Sequence, residues 1–251
     1  MLIRTIKTYC TLIFGLIFNL KHTKIAAKIR EEKSVHEGDV YGSTKVVDII
    51  KATFRVADTE FIVDGFENIP TDRTFVVFAN HKSMVDVLAI YATINQPISF
   101  IGKIELKKVP VLREWMVAMG SIFMDRKDLR ESMKALMEGI KKVKSGTNMG
   151  IFPEGTRSSG RMNEFKGGSF KLATKCGAPI VPVSIEGTNE MFEDNHMFVK
   201  KATIKITYHP IVETAGLSKE DEKELPAKVQ EIVGSVLKEE HRYVKDENIN
   251  C

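Results

Sequence analysis

Short apolar and β-branched runs alternate along the chain with amphipathic stretches, and this alternation predicts the fold class. Seven runs have the length and composition of buried strands; they cover residues 61–64, 74–79, 98–101, 121–124, 149–152, 180–185 and 203–208. Helical patterns occupy residues 83–93 and 111–119, and a C-terminal helix is expected over about 222–239. The pattern predicts an α/β fold with a mixed, largely parallel sheet flanked by helices.

The clearest amphipathic helix is expected over residues 128–144. Its apolar side chains recur at three- and four-residue spacing, with charged residues on the other face; they are Leu129, Met133, Leu136, Met137, Ile140 and Val143. Side chains on one such stripe normally face the interior. We therefore expect all six in the hydrophobic core.

The first 30 residues differ in composition from the rest of the chain. They carry six basic residues and no acidic one, so the remaining chain has 31 basic and 33 acidic residues, and the net charge of +4 comes from this end. The same segment holds the most apolar run, residues 9–20. As a helix this run is about 18 Å long, well short of a hydrocarbon core of about 30 Å.

This N-terminal segment is expected to lie in the interface of an anionic membrane, its apolar side among acyl chains and its lysines against headgroups. Lys21 and Lys24 follow the apolar run directly, which does not suit a signal-peptide cleavage site. The alternative is an ordinary N-terminal core helix with a solvated basic face. Residues 31–41 are polar and aperiodic and predict a linker. We accordingly divide the chain into a membrane-seating segment and linker, residues 1–42, and a folded domain, residues 43–251.

Composition excludes several classes of protein. With 43% hydrophobic and 28% charged residues, the chain is not disordered, collagen-like or of low complexity. Cys10, Cys176 and Cys251 are odd in number and far apart, so they suggest neither a disulfide framework nor a thiolate zinc site. A reducing, cytosol-facing setting is favoured.

Candidate chemistry begins where the run over residues 74–79 ends. His81 emerges there and Asp86 follows five residues later, with Ser83 as a candidate helix cap. A turn that brings the carboxylate back to the imidazole would hold one ring nitrogen and leave the other to accept a proton. The pair is thus a candidate general base with its orienting carboxylate, although a lone histidine at a strand end is more often only a hydrogen-bonded residue.

Basic residues follow two further strand ends. The run over residues 149–152 leads into Glu154, Gly155 and Arg157, and the run over 121–124 leads into Arg126. Lys166 adds a cation next to two glycines. These cations could form a site for a dianionic phosphate. Surface ion pairs with neighbouring acids are the alternative.

Four blocks, taken in order, resemble the glycerolipid acyltransferase family, and specifically its 1-acylglycerol-3-phosphate acyltransferases, which make phosphatidate. They are N-H-x-S-x-x-D at residues 80–86, G-x-I-F-x-D-R at 120–126, F-P-E-G-T-R-S at 152–158 and I-V-P-V at 180–183. The resemblance spans residues from about 45 to 210 and makes the folded domain an acyltransferase domain. The basic apolar N-terminus is also similar to the helical segment by which the family sits on membranes.

The resemblance implies a role for each matching residue. His81 would take the proton of the sn-2 hydroxyl of lysophosphatidate as this attacks an acyl thioester, and Asp86 would orient it. The acceptor-binding residues would be Arg126, Glu154, Gly155, Thr156 and Arg157. A phosphate role for Lys166 is our own inference, since it lies outside the blocks. Backbone amides near Gly155 or after His81 are candidates for stabilising the oxyanion.

Partners follow from the same resemblance. They would be membrane lipids and either acyl-CoA or acyl carrier protein, with no cofactor, no metal and no nucleic acid, at the cytoplasmic face of the cell membrane as a peripheral or monotopic protein. Three alternatives stay open: a related acyltransferase acting on glycerol-3-phosphate or another lysophospholipid, a metal-dependent hydrolase that uses His81 and Asp86 as ligands, and a non-catalytic membrane-surface protein. The sequence does not distinguish the two acyl carriers.

Overall fold

A seven-stranded sheet with helices on both faces forms the centre of the molecule. The structure is a computed structural model, and it describes residues 1–244. The strands are β1 (Glu60–Asp64), β2 (Val76–Ala79), β3 (Ser99–Lys103), β4 (Ile122–Met124), β5 (Met149–Ile151), β6 (Ile180–Glu186) and β7 (Thr203–Tyr208). The helices are α1 (Leu2–Phe18), α2 (Lys21–Glu32), α3 (Val35–Val56), α4 (Val85–Thr93), α5 (Pro110–Ala118), α6 (Leu129–Lys144), α7 (Gly167–Thr174), α8 (Thr188–Met191) and α9 (Lys219–Gly234). The last residues of the predicted domain, 245–251 with Cys251, lie outside the described residues.

Strand order in the sheet is β1-β7-β6-β2-β5-β3-β4. Strands β2 to β6 run parallel to one another, whereas β7 pairs antiparallel with β6 and β1 pairs parallel with β7. The predicted mixed, largely parallel sheet is confirmed. Because β2, β4, β5 and β6 all end at the same edge, the loops that follow them meet there. This carboxyl edge carries the candidate site.

Two hydrophobic cores lie on opposite faces of the sheet. The first includes side chains of α3, α4 and α5, and the second includes side chains of α6, α7 and α9. Along β2, Val77 and Ala79 belong to the first core and Val76 and Phe78 to the second. All four are fully buried, which explains why this strand is a continuous apolar run.

The predicted linker over residues 31–41 is wrong, because α2 continues to Glu32 and α3 begins at Val35. Ser34 caps α3 by accepting a hydrogen bond from the Glu37 N–H at 3.1 Å. The boundary between residues 42 and 43 falls inside α3. The polar segment contains Gly38, which suggested a loop, but Gly38 and Gly42 instead allow close packing of α3 on other helices. A Cβ on Gly42 would lie 1.9 Å from the carbonyl oxygen of Ala118 in α5.

The prediction that the whole apolar stripe of α6 is core is also wrong. Ile140 and Val143 are buried, but Leu129, Met133 and Met137 are 78%, 57% and 53% exposed. The buried face of the helix also includes the small residues Ala135 and Gly139, and a Cβ on Gly139 would lie 2.8 Å from the Leu172 side chain in α7. A search for large apolar side chains at helical spacing does not register such a contact face.

The C-terminal helix α9 begins three residues earlier than predicted and ends at Gly234. Its start is set by a capping box in which the Ser218 hydroxyl accepts from the Asp221 N–H at 3.1 Å and the Asp221 carboxylate accepts from the Ser218 N–H. The prediction took no account of this cap and placed the start near residue 222.

The N-terminal helices pack on the folded domain as well as presenting an apolar surface. The Trp115 indole N–H donates to the carbonyl oxygen of Leu16 at 3.0 Å, and the Arg30 guanidinium donates to buried Asp39 at 2.9 Å. Large apolar side chains of α1 nevertheless remain exposed; they are Leu2, Ile3, Ile6, Tyr9, Ile13, Phe14, Ile17 and Phe18. Among residues 1–244, no single helix is long and apolar enough to cross a membrane. Helices α1 and α2, which are bent by 44° relative to each other, together have the length and composition of a membrane span.

Candidate active site

A histidine and an aspartate meet at the carboxyl edge of β2, as the sequence predicts. The Nδ1 atom of His81 lies 2.8 Å from Oδ2 of Asp86, which is in the first turn of α4. The turn forms because the same carboxylate oxygen accepts the N–H groups of Lys82 and Ser83, both at 2.8 Å. Helix α4 begins at Val85, whose N–H donates to the Ser83 hydroxyl oxygen. With Nδ1 engaged by the carboxylate, Nε2 is the ring nitrogen placed to accept a proton.

The loop after β5 fixes the position of His81. Glu154 accepts the His81 N–H at 2.6 Å, and the Ser158 N–H donates to the His81 carbonyl oxygen at 2.8 Å. The imidazole also stacks on Phe152 with 4.1 Å between ring centroids. These contacts fix both the backbone and the ring plane of the candidate base.

Glu154 is a buried carboxylate with a perturbed pKa. Its Oε1 accepts from His81 and its Oε2 accepts the Asn163 N–H at 2.7 Å. Burial raises its pKa to about 7, with Asp86 adding to the rise and the two N–H groups opposing it. Because the side chain is buried and both oxygens are engaged by the protein, this geometry suits positioning of His81 better than contact with an acceptor.

Basic side chains converge on Gly155, in the same loop. Arg126, which follows β4, donates a hydrogen bond to the Gly155 carbonyl oxygen. The Lys166 ammonium lies against the other side of this residue, since a Cβ on Gly155 would be 2.9 Å from Lys166 Nζ. Gly155 has φ of +73°, a conformation that glycine adopts without strain. The exposed residues Thr156 and Arg157 come next, so the predicted cations gather along one loop.

Arg157 forms an ion pair that the sequence does not predict. Its Nη1 lies 3.0 Å from Oε1 of Glu193, which also accepts the Met84 N–H at 2.9 Å. The other carboxylate oxygen of Glu193 is buried without a hydrogen-bond partner among the described residues. An anionic ligand that binds Arg157 would therefore share its guanidinium with Glu193.

The amides that follow His81 do not fit the predicted oxyanion role. The N–H groups of Lys82 and Ser83 donate to Asp86, and that of Met84 donates to Glu193. The Gly155 N–H likewise donates to the carbonyl oxygen of Phe152. All four amides are committed to holding the loops in place.

Three residues of the site have no assigned role in the sequence prediction. Asn80 makes a pair of hydrogen bonds with the backbone of Ile185 and so joins the ends of β2 and β6; its place in the first block was the available signal. Thr188 and Glu193 lie more than 100 residues from the groups they bond, Asp86 and Met84, and no sequence pattern marks them.

Within residues 1–244, no group of three or more His, Cys, Asp or Glu side chains is placed to hold a metal ion.

A carboxylate-oriented histidine lies at the carboxyl edge of a largely parallel sheet, where the neighbouring loops carry arginines, and this arrangement suits proton transfer next to an anionic group. The chain belongs to the Acyltransferase family, whose family model matches residues 60–186. All the predicted catalytic and acceptor-binding residues lie inside this range.

Relatives from distant organisms support the assignment. The chain is 33% identical to a 1-acyl-sn-glycerol-3-phosphate acyltransferase of Borreliella burgdorferi, over 72% of this chain and 73% of that protein. It is 30% identical to the enzyme of the same name from Saccharomyces cerevisiae, over 70% of this chain and 59% of that protein. The crystal structure of the 1-acyl-sn-glycerophosphate (LPA) acyltransferase PlsC from Thermotoga maritima superposes with a TM-score of 0.77 at 31% identity, covering 92% of both chains. The chain is an acyltransferase.

Proposed function

We propose that this enzyme transfers an acyl chain from an acyl thioester to the sn-2 hydroxyl of lysophosphatidate, giving phosphatidate for phospholipid synthesis. The observation that carries the proposal is the 2.8 Å contact between His81 Nδ1 and Asp86 Oδ2, set at the edge where Arg126, Arg157 and Lys166 also lie. The names of the relatives support lysophosphatidate as the acceptor.

His81 acts as the general base. Its Nε2 takes the proton of the acceptor hydroxyl while the oxygen attacks the thioester carbonyl, which forms a tetrahedral oxyanion. The oxyanion collapses, the carbon–sulfur bond breaks, and the imidazolium returns its proton to the departing thiolate. Asp86 orients the ring and stabilises the imidazolium between the two steps. The thioester is already activated, so this chemistry requires no cofactor.

The cations near Gly155 hold the acceptor phosphate. A lysophosphatidate phosphate carries close to two negative charges, which suits two or three cations better than it suits one, and arginine can bind phosphate in a bidentate manner. In the structure Arg157 is paired with Glu193 at 3.0 Å. The contact uses Nη1, so the remaining N–H groups of this guanidinium can bind the acceptor phosphate.

Helix α1 seats the enzyme on the membrane that holds its lipid substrates. Its exposed apolar side chains and the excess of basic residues in the first 30 positions suit an interfacial helix on anionic lipid. The helix also reaches the site edge, because the Tyr9 hydroxyl donates to the carbonyl oxygen of Met197 at 3.3 Å, in the segment between β6 and β7. We place the enzyme at the cytoplasmic face of the cell membrane, as a peripheral or monotopic protein, where soluble acyl-CoA or acyl carrier protein can deliver the acyl group.

The test is an acyl-transfer assay with the purified full-length protein on anionic vesicles. Lysophosphatidate is offered with acyl-CoA and, separately, with acyl carrier protein thioester, and the lipid product is identified. We expect phosphatidate from at least one donor. Preferential use of glycerol-3-phosphate or of a zwitterionic lysophospholipid would replace the proposed acceptor, and vesicle binding without turnover would refute the catalytic proposal.

A further inference from the structure

Thr188 lies just beyond the region matched by the family model and makes a short hydrogen bond into the His–Asp pair. Its hydroxyl donates to Asp86 Oδ1 at 2.6 Å. Both side chains are fully buried. The contact joins residues that are 102 positions apart in the sequence, and it lies on the side of Asp86 away from His81.

The two oxygens of Asp86 have different partners. Oδ2 accepts from the His81 ring and from the N–H groups of Lys82 and Ser83. Oδ1 accepts from the Thr188 hydroxyl. The threonine therefore completes the hydrogen bonding of a carboxylate that is buried beside the candidate base, and a buried charge is costly when part of it lacks a donor.

We propose that Thr188 is a positioning residue for acyl transfer: it holds the Asp86 carboxylate in the plane that orients the His81 ring. This inference rests on the proposed function, since it concerns the same His–Asp pair. Because Thr188 is buried behind Asp86, it acts through Asp86 and makes no contact with the acceptor or the thioester.

The turn after β6 sets the position of Thr188. Gly187 precedes it with φ of +89°, and a Cβ at this position would lie 2.2 Å from the carbonyl oxygen of Thr203 at the start of β7. The turn therefore requires glycine, both for its conformation and for the close approach of β7. This constraint sets the direction in which α8 leaves the sheet and places the Thr188 hydroxyl over Asp86.

Removing the hydroxyl while keeping the side-chain shape should affect the chemical step more than substrate binding. In Thr188→Val the Oδ1 atom of Asp86 loses its donor, so the carboxylate and the imidazole ring that it orients are less firmly held. We expect kcat to fall by roughly tenfold or more with little change in KM for the acceptor.

The experiment compares Thr188→Val with Thr188→Ser in the full-length protein on vesicles. Serine restores the hydroxyl, so it should recover most of kcat. The matched control is Thr214→Val, since Thr214 is also buried but donates to the carbonyl oxygen of Ala178. Circular dichroism and urea unfolding show whether each variant is folded.

The outcomes separate this inference from the proposed function. A folded Thr188→Val variant with wild-type kcat overturns the inference, as does a Thr188→Ser variant that is as impaired as the valine variant. An equal kcat loss in Thr214→Val would mean that the loss of a buried hydroxyl in general, and not of the bond to Asp86, causes the effect. If His81→Ala retains full activity, the proposed function fails instead, whatever the threonine variants show.

Discussion

Glu154 should make the stability of the fold depend on pH in a way that one substitution removes. Its carboxylate is buried, accepts the N–H groups of His81 and Asn163, and has a pKa raised to about 7 from an ordinary 4.5, mainly by burial. The substitution Glu154→Gln keeps the shape and one acceptor oxygen but does not titrate. It loses the bond to one of the two N–H groups, a cost that does not change with pH.

The sign and size follow from proton linkage. Between pH 4.5 and about 7 the folded protein keeps the Glu154 proton whereas the unfolded chain releases it, so stability falls as pH rises through this window. The pKa of Glu154 is 4.5 in the unfolded chain and about 7 in the folded protein. This difference makes the free energy of unfolding about 2.5 kcal/mol smaller at pH 8 than at pH 5. The glutamine variant lacks this contribution.

The assay is urea unfolding of both proteins at a series of pH values from about 5 to 8, followed by circular dichroism. The free energy of the variant minus that of the wild type should rise by about 2.5 kcal/mol across the series. All other titrating groups cancel in this difference. Glu213→Gln serves as the control, because Glu213 is exposed and pairs with Arg73 at the surface.

Parallel pH curves for wild type and Glu154→Gln would refute the reasoning, because they would mean that Glu154 is already ionised in the folded protein at pH 5. A difference of the opposite sign would show that the two N–H bonds outweigh burial.

Two further predictions concern substrate binding. Arg157→Ala should raise KM for lysophosphatidate by about tenfold or more while leaving KM for the thioester almost unchanged, because a charge-assisted hydrogen bond to phosphate is lost. Arg161→Ala is the neighbouring control. An equal rise in KM for both substrates would count against a phosphate role. Serine in place of the exposed apolar side chains of α1 should weaken sedimentation with anionic vesicles at moderate salt; undiminished binding would place the membrane contact on another surface.

The sheet and the catalytic pair were predictable because their signals are local. The strand pattern predicted all seven strands, since the central parallel strands are short apolar runs with turns on either side and β7 alternates between exposed and buried positions. His81 and Asp86 are five residues apart, so one turn suffices to join them. The cations follow neighbouring strands and are brought together by the topology.

Contacts that cross the fold were not predictable in this way. Thr188 and Glu193 reach the site only because β6 lies beside β2, and their spacing carries no periodic signal. Gly38 was taken for loop composition although it permits helix contact, since a Cβ there would lie 2.7 Å from the carbonyl oxygen of Ala26 in α2. Methionines 133 and 137 fit a helical stripe, yet the helix turns its small residues to the sheet.

The most direct test of the account is the rate of phosphatidate formation by His81→Ala, measured on anionic vesicles with saturating lysophosphatidate and thioester. His36→Ala is the control, because His36 bonds Thr147 at 3.1 Å and lies outside the site. We expect kcat of His81→Ala to fall by roughly 10²- to 10⁴-fold with folding and vesicle binding preserved, and kcat of the control to stay unchanged. A folded His81→Ala protein that still transfers acyl groups at a rate close to wild type would contradict the assignment of His81 as the base.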